Sequence, residues 1–205
     1  MTKTLAAFAF ALATTVTGVQ AATLVNGSFE DPLVNVGPFK TLNTGSPYLA
    51  GWTVDGSIDW IGSYWAHADG NRSLDMTGSS IGSISQDITG LVVGRQYDLS
   101  FALAGNPAGR PQVKTLNVSV GDEMAEFTFD TAGTSRGNMG WVMESFRFTA
   151  GSTTETLTFA SKNTGFWGPA LDNVSISQTA PVPLPAAAWL LAGAVAGLAT
   201  IRRKA

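Results

Sequence analysis

The sequence predicts an all-β protein whose central domain is an antiparallel β-sandwich, with a jelly roll as the favoured form. Apolar and polar residues alternate with a period of two through this region, and each short run ends at Gly, Asn, Asp, Ser or Pro. Such runs, repeated at intervals of roughly 8–15 residues, are typical of antiparallel sandwiches. Two hydrophobic segments, one near each end of the chain, do not follow this alternation.

The first hydrophobic segment has the three parts of a Sec-type signal peptide, over residues 1–21. Lys3 supplies the positive charge, residues 5–13 form the apolar stretch, and Val19 and Ala21 are the small residues of a cleavage site. The apolar stretch is too short to span a membrane. We therefore expect export, with cleavage after Ala21; the alternative is a buried N-terminal helix.

The strands of the central domain, expected over residues 23–177, are identified by apolar residues that share one face. These sets are Tyr97, Leu99, Phe101 and Leu103; Leu116, Val118 and Val120; Phe127 and Phe129; Phe146 and Phe148; Leu157 and Phe159; and Val174 and Ile176. Aromatic and β-branched side chains suit the half-buried face of a pleated sheet.

The composition restricts the chemistry of this domain. The chain has no Cys, which excludes disulfides and thiolate nucleophiles, and His67 is the only histidine, which excludes a multi-histidine metal centre. Between the two terminal segments, 8 basic residues stand against 15 acidic ones, a net charge of −7. Nucleic-acid binding requires a basic surface, so we expect no nucleic-acid partner.

Glu30 and Asp172, near the two ends of the domain, are the candidate metal ligands. Asp172 has the same strand parity as Val174 and Ile176, which predicts that it faces the core, where a carboxylate needs a partner. First and last strands are often neighbours in sandwiches, so the two carboxylates could share a structural Ca²⁺ with backbone carbonyls. The alternative is that both make local hydrogen bonds in turns.

Aromatic and polar residues are concentrated in a turn-rich stretch between residues 52 and 72. Aromatic rings stack on the C–H faces of sugars, and Asp and Asn bind hydroxyl groups. The candidate ligand-binding residues are Trp60, Tyr64, Trp65, Asp59, Asn71, Arg72 and Asn106. The alternative is that the large aromatic residues pack in the core.

The acidic residues of the same region raise the question of catalysis. Glycosidases need two positioned carboxylates, and the available ones are Asp55, Asp59, Asp69 and Asp75. With 15 acidic residues in the chain, accidental proximity is easy. His67 has no serine in a Gly-x-Ser-x-Gly context and is interpreted as a loop residue. We therefore expect no enzymatic activity.

The second hydrophobic segment lies at the C-terminus. Residues 186–201 carry no charge and approach the roughly 20 residues that span a bilayer. Pro183 and Pro185 precede them in a linker and sorting motif over residues 178–185. The basic tail, residues 202–205, is expected to stay in the cytoplasm. The segment therefore predicts a transmembrane helix; the alternative is a buried C-terminal core helix.

This tail resembles the PEP-CTERM sorting signal of Gram-negative bacteria. Pro183-Leu184-Pro185 matches the VPLPA variant of its core, and Arg202 and Arg203 match its basic end. The resemblance implies cleavage by an exosortase, a membrane cysteine protease, after export by the Sec machinery. The precursor would be anchored in the inner membrane, and the product would reach the cell surface or the extracellular space.

The central domain resembles the choice-of-anchor C domain, which is related to plant cell-wall proteins of unknown function. The matching segments occur in the order NGSFE, GWTVDGSIDWIGSYW, SLDMTGSSIGSISQDI, YDLSFALAGNP, MGWVMESFRFTA and GPALDNVSI. The resemblance implies a galactose-binding-like jelly roll, the fold of many carbohydrate-binding modules. In those modules a structural calcium often joins an N-terminal Glu to a C-terminal Asp, which here are Glu30 and Asp172.

Together these features predict a non-enzymatic surface or extracellular-matrix protein that binds or structures polysaccharide, as in a biofilm. The first alternative is a structural or protein-interaction module with no glycan ligand. The second is a polysaccharide hydrolase.

Overall fold

The computed structural model describes residues 21–179, which form ten antiparallel strands. The strands are β1 (Phe39–Asn43), β2 (Thr53–Ile61), β3 (Ser73–Asp75), β4 (Gly82–Thr89), β5 (Gln96–Gly105), β6 (Val113–Val120), β7 (Glu123–Asp130), β8 (Val142–Thr149), β9 (Thr154–Ser161) and β10 (Pro169–Gln178). The predicted signal peptide, transmembrane helix and basic tail lie outside these residues, as does the sorting motif. In residues 21–179 no helix has the length and apolar character needed to cross a membrane.

The strands form two sheets that are joined through β2. One sheet has the order β7-β6-β9-β4-β2, and the other has the order β1-β2-β3-β10-β5-β8. Residues 53–56 of β2 pair with β4, and residues 57–61 pair with β1. Gly56 marks the change of sheet: its φ is 68°, and a Cβ there would lie 2.1 Å from the carbonyl oxygen of Ile81. Only glycine combines that φ with so close an approach.

The two sheets pack face to face through aromatic side chains. The Phe101 ring on β5 lies 5.2 Å from that of Phe159 on β9 and 5.1 Å from that of Phe127 on β7. The predicted inward residues are fully or nearly buried, apart from Phe127 and Ile176, which are half-buried. The prediction of an all-β antiparallel sandwich is therefore confirmed.

Trp60 belongs to this core, so its prediction as a ligand-binding residue is wrong. Its side chain is 0% exposed, and its indole N–H donates to the carbonyl of Phe29 at 2.9 Å. Asp59 and Trp60 are consecutive residues of β2, so their side chains lie on opposite faces of the strand.

Candidate ligand-binding cleft

A row of polar side chains crosses three adjacent strands on the face of the sheet that points away from the core. Thr41 on β1 pairs with Asp59 on β2, which in turn pairs with Asp75 on β3. The residues on either side of this row, such as Ile58 and Trp60, point into the core. Paired residues of antiparallel strands have side chains on the same face. The row therefore brings two carboxylates together that are 16 positions apart in the chain.

This row lines a cleft of about 220 Å³ that also has aromatic and amide side chains in its lining. Phe39 and Tyr64 form one edge-to-face pair, with ring centroids 5.5 Å apart. Phe166 and Trp167, in the β9–β10 connection, form a second such pair at 6.2 Å. Phe39 is 44% exposed and Phe166 59% exposed, so both offer apolar surface to a ligand.

Asp75 is fully buried beneath the cleft and accepts three hydrogen bonds. Its Oδ1 accepts from the backbone N–H groups of Thr77 and Gly168, at 3.0 and 2.9 Å. Its Oδ2 accepts from Asn106 Nδ2 at 2.7 Å. Burial raises the pKa of Asp75 to about 7, although the three hydrogen bonds oppose that shift.

Asp59 is half-buried and less constrained. Its Oδ1 accepts a hydrogen bond from the Thr41 hydroxyl at 2.6 Å. Burial raises the pKa of the Asp59 carboxyl, and the hydrogen bond from Thr41 partly offsets this effect. The cleft thus contains two carboxylates whose charged forms are both disfavoured by burial.

We expect the protein to lose stability as the pH rises from about 5.5 to about 7.5. The folded state keeps a proton on Asp75 up to a pKa of about 7, whereas an unfolded Asp releases it near pH 4. The stabilisation is complete below the unfolded pKa and is lost as the pH rises through the folded pKa. The loss is about 2 kcal/mol over this window.

The measurement is urea unfolding at several pH values. Asp172, whose pKa is also raised to about 7, adds a loss of the same sign, and His67, whose pKa is lowered by burial, opposes it. Asp75→Asn removes one titrating group and should flatten the slope, while the exposed Asp122→Asn should not. If the slope of stability against pH were the same in Asp75→Asn as in the wild-type protein, Asp75 would take up no proton on folding and the prediction would be wrong.

Lys114 positions one aromatic pair of the cleft. Its side chain is 0% exposed, and its Nζ donates to the carbonyls of Gly109 and Trp167, at 2.9 and 2.8 Å. Burial lowers the pKa of Lys114, and the charge of Asp75 partly opposes this shift. A Cβ on Gly109 would lie 2.3 Å from the Trp167 ring, so this ring packs directly on the glycine backbone. Lys114 therefore ties the β5–β6 and β9–β10 connections together.

The structure divides the predicted ligand-binding residues between two sites. Asp59, Tyr64 and Asn106 line the cleft, whereas Asn71 and Arg72 line a second, wider depression of about 570 Å³. Asp55 and Asp69, two of the acidic residues considered for catalysis, are absent from the lining of the cleft.

The prediction of Trp65 as a ligand-binding residue is also wrong, because its ring is not accessible to a sugar. Trp65 borders the second depression but is only 4% exposed, and its indole N–H donates to Ser73 Oγ at 2.8 Å. The same Ser73 Oγ lies 2.8 Å from His67 Nδ1. Ser73 is 0% exposed and cannot act as an accessible nucleophile, so the interpretation of His67 as a loop residue without a catalytic serine is retained.

Sequence reasoning missed Phe39, Phe166 and Lys114. Phe166 stands in the segment TGFWG, where glycines flank two aromatic residues outside any alternating run. This pattern indicates aromatic residues on a loop, and it could have identified Phe166 as a candidate ligand-binding residue. Lys114 has no such clue, because it occupies an inward position of β6 that the alternation assigns to an apolar residue.

Glu30 and Asp172 both hold the loop of residues 66–71. Asp172 Oδ2 accepts from the N–H groups of Ala68 and Asp69, each at 2.9 Å, and its Oδ1 accepts from that of Asn173 at 2.7 Å. Glu30 Oε1 accepts from the N–H of Asn71 at 2.7 Å. These donors already satisfy the buried carboxylate, so the hydrogen bonds do not require a metal.

The predicted core orientation of Asp172 is wrong, and a β-bulge is the reason. Asp172 pairs with Ala102 and Ser175 pairs with Ser100, so β10 contains one extra residue there. Asn173 has a φ of 48° at this point. The extra residue reverses the parity, so Asp172 faces outward beneath the loop while Ile176 faces the core.

The segments around Glu30 and Asp172 meet as expected, although the first and last strands do not pair with each other. β10 lies between β3 and β5, and β1 pairs with β2. The segment before β1 reaches β10 by one hydrogen bond, from Val174 N to the Gly27 carbonyl at 2.8 Å. Across residues 21–179 no group of three or more His, Cys, Asp or Glu is placed to hold a metal ion. Calcium at Glu30 and Asp172 stays a prediction.

Comparison with known proteins gives one family and several distant likenesses. Residues 22–177 match the family model described as "Protein of unknown function (DUF642)". Halomucin of Haloquadratum walsbyi is 35% identical over 182 residues; the match covers 86% of this chain and 2% of Halomucin, so the chain spans a small fraction of that protein.

Solved structures with a similar fold share little sequence with the chain. TmCBM61, solved with β-1,4-galactotriose, has a TM-score of 0.46 at 14% identity and matches over 76% of this chain and 97% of its own. A CBM35 from Paenibacillus barcinonensis has a TM-score of 0.45 at 17% identity, over 68% of this chain and 99% of its own. An exo-β-1,3-galactanase from Phanerochaete chrysosporium has a TM-score of 0.44 at 15% identity, over 70% of this chain and 30% of its own.

Proposed function

Because the chain belongs to the DUF642 family, whose function is unknown, we propose a function from the cleft itself: the domain binds carbohydrate and does not catalyse a reaction. The observation that carries this proposal is the presence of two exposed aromatic side chains and several hydroxyl-binding groups in one concave site. Phe39 and Phe166 offer apolar surface, and Thr41, Asp59 and Ser79 offer polar atoms. Asn106 also lines the cleft, but it is 4% exposed and its amide is engaged with Asp75 and Ala108, so it supports the site from below. Sugars require both kinds of contact.

The size of the cleft limits what it holds. Its volume of about 220 Å³ is below the range of roughly 300–1,000 Å³ for pockets that take drug-sized ligands. We infer that it takes one sugar ring of a longer chain and leaves the neighbouring rings on the surface. A polysaccharide would then gain affinity where several copies of the protein are held together on one surface.

The hydrogen bonds of the carboxylates favour binding over hydrolysis. A glycosidase needs one carboxyl group that can donate a proton and a second that can attack or activate water. Both oxygens of Asp75 accept hydrogen bonds from donors fixed by the fold. Asp75 is therefore held as a structural acceptor, which leaves Asp59 without a catalytic partner.

We place this activity outside the cell. The two terminal segments support a route in which the Sec machinery exports the chain, an exosortase cleaves it near Pro183-Leu184-Pro185, and the product joins a polysaccharide matrix at the cell surface. Mass spectrometry of the native protein tests the route. New termini near Ala21 and near the proline motif would support it, and an intact chain would contradict it.

Phe166→Ala should weaken polysaccharide binding by about tenfold. The substitution removes a ring that is 59% exposed at the cleft, and an aromatic contact with a ligand is worth roughly 1–1.5 kcal/mol beyond what alanine provides. The measurement is titration calorimetry of the full-length chain in a detergent without a sugar headgroup, because a sugar headgroup would compete for the cleft. Met124→Ala is the matched control, since Met124 is 69% exposed and lies on β7, away from the cleft.

The same titrations separate the alternatives. Binding that is lost equally in both variants would mean that the cleft is not the site. No binding of any glycan by the wild-type protein would favour a structural or protein-interaction module instead. Release of reducing ends from a polysaccharide, abolished by Asp59→Asn, would show a hydrolase.

A further inference from the structure

We propose that the cleft selects a sugar with an unacetylated amino group, whose ammonium would bind the half-exposed carboxylate of Asp59, above the buried carboxyl group of Asp75. This inference rests on the proposed function and deepens it by naming the class of sugar. Three observations support the preference for an amino sugar. They are the position of the two carboxylates in the cleft, the absence of a basic partner for them, and the negative charge of the whole domain.

The two carboxylates are direct partners across adjacent antiparallel strands. Asp59 on β2 and Asp75 on β3 are register partners. Side chains in such pairs have Cβ atoms about 4.5–5.5 Å apart, and like charges in these positions repel each other. A cation bound to Asp59 would offset this repulsion and would be attracted by the charge of Asp75 as well.

The protein supplies no such cation. None of the described residues that line the cleft is Lys or Arg. In residues 21–179 the ion pairs are Arg147–Asp98 and Lys162–Glu126, so neither carboxylate of the cleft is paired.

Two basic side chains contact residues of the cleft lining, and both are engaged there. Lys114 Nζ donates to the carbonyls of Gly109 and Trp167. The Arg136 guanidinium lies 3.8 Å above the Tyr64 ring and donates to its hydroxyl. The half-exposed carboxyl group of Asp59 is thus left for a ligand.

Burial of the two carboxyl groups also favours the binding of a cation. It raises the pKa of both carboxyl groups, that of Asp75 to about 7, because each charged form lacks solvation. An ammonium group would replace part of the lost solvation and favour both carboxylates. The charged groups that face this pair are Lys114, whose pKa burial lowers and the charge of Asp75 partly raises, and the two carboxyl groups themselves.

An amino sugar fits this arrangement better than the other common sugars. Its ammonium replaces one ring hydroxyl, donates three hydrogen bonds and leaves the apolar ring faces free for Phe39 and Phe166. An N-acetyl group removes the charge, and a uronate adds a repelled carboxylate. The net charge of −7 between the terminal segments attracts a cationic sugar and repels a uronate over longer distances.

The experiment compares five oligosaccharides of equal length by titration calorimetry of the full-length chain at about 0.15 M salt, where long-range attraction is screened. They are oligomers of glucosamine, N-acetylglucosamine, glucose and galacturonic acid, and a galactosamine oligomer tests the ring configuration. We expect an amine-bearing oligomer to bind about tenfold or more tightly than the neutral ones, since hydrogen bonds to charged groups are strong. We expect the galacturonate oligomer to bind most weakly.

Asp59→Asn and Asp122→Asn are a matched pair of variants, because each removes one negative charge. Asp59 lines the cleft, whereas Asp122 is exposed in the β6–β7 turn. The preference for the amine over the neutral sugar should fall toward one in Asp59→Asn and persist in Asp122→Asn. Circular dichroism and thermal melting establish that both variants are folded.

The outcomes distinguish this inference from the proposed function. Neutral oligomers that bind as tightly as the amine would overturn the amine preference and leave carbohydrate binding intact. An amine preference that both variants lose equally, or that Asp59→Asn retains, would assign it to general surface charge and also overturn the inference. If the wild-type protein bound none of the oligosaccharides, the proposed function itself would be wrong.

Discussion

Replacing Asp172 with alanine should lower the free energy of unfolding by about 3–4 kcal/mol. The carboxylate is 0% exposed and accepts backbone N–H groups from Ala68, Asp69 and Asn173. The substitution leaves all three donors without their acceptor. A fully buried donor that loses its partner costs about 1–3 kcal/mol, and these donors are partly buried, so each should cost about 1–2 kcal/mol. Relief of the burial penalty on the carboxylate and entry of water offset part of this sum.

Asp172→Ala should also free the loop of residues 66–71 from the sheet, because the Asp172 carboxylate anchors this loop to β10. Urea unfolding measures the stability, and hydrogen exchange of the Ala68 and Asp69 amides measures the anchoring. Asp69→Ala is the matched control. It keeps the backbone N–H and removes an exposed carboxyl, so we expect a change within about 0.5 kcal/mol. Equal stability of Asp172→Ala and Asp69→Ala would refute the anchoring role.

The wild-type chain and Asp172→Ala together also test the predicted binding of calcium. A lower melting temperature of the wild-type chain in EDTA, restored by excess Ca²⁺, would show that a cation adds to these hydrogen bonds. The response should then disappear in Asp172→Ala. An unchanged melting temperature would mean that the three N–H donors alone satisfy the carboxylate.

Replacing Lys114 with methionine should lower the free energy of unfolding by about 2–3 kcal/mol and weaken glycan binding by about tenfold. Methionine keeps the length of the side chain, so the cavity is small, but the Gly109 and Trp167 carbonyls lose their donor. The Trp167 backbone is then free to move, and the aromatic pair that it forms with Phe166 is no longer fixed at the cleft. A displacement of about 1 Å is enough to impair a positioned site.

Lys162→Met is the control for this variant. Lys162 is exposed, and its ion pair with Glu126 at 3.5 Å is worth about 0–1 kcal/mol. Stability comes from urea unfolding and affinity from calorimetry. If Lys114→Met lost stability but bound glycan with wild-type affinity, Lys114 would be a structural residue without influence on the cleft.

The alternation of the sequence predicted the strands well because a strand has a fixed side-chain period. Tyr97, Leu99, Phe101 and Leu103 are all buried, as their shared face on β5 requires. The same rule failed at Asp172, because one extra residue in β10 reverses the parity and leaves no mark in the composition.

The candidate site was predicted only in part. Asp59, Tyr64 and Asn106 were identified by residue type and line the cleft, whereas Trp60 and Trp65 were chosen for the same reason and are buried. Residue type gives the chemistry that a side chain can perform. It does not say which neighbouring loops cover that side chain.

The sequence by itself determined the strand pattern, the acidic character and the absence of thiol or multi-histidine chemistry, since these depend on residue identity and on spacing within one segment. Only the tertiary structure decided that Thr41, Asp59 and Asp75 form one row, that Lys114 holds Trp167, and that Asp172 lies beneath a loop. The physical reason is that pairing between strands depends on register, bulges and loop coverage. These arise from contacts between residues far apart in the chain, which no local pattern records.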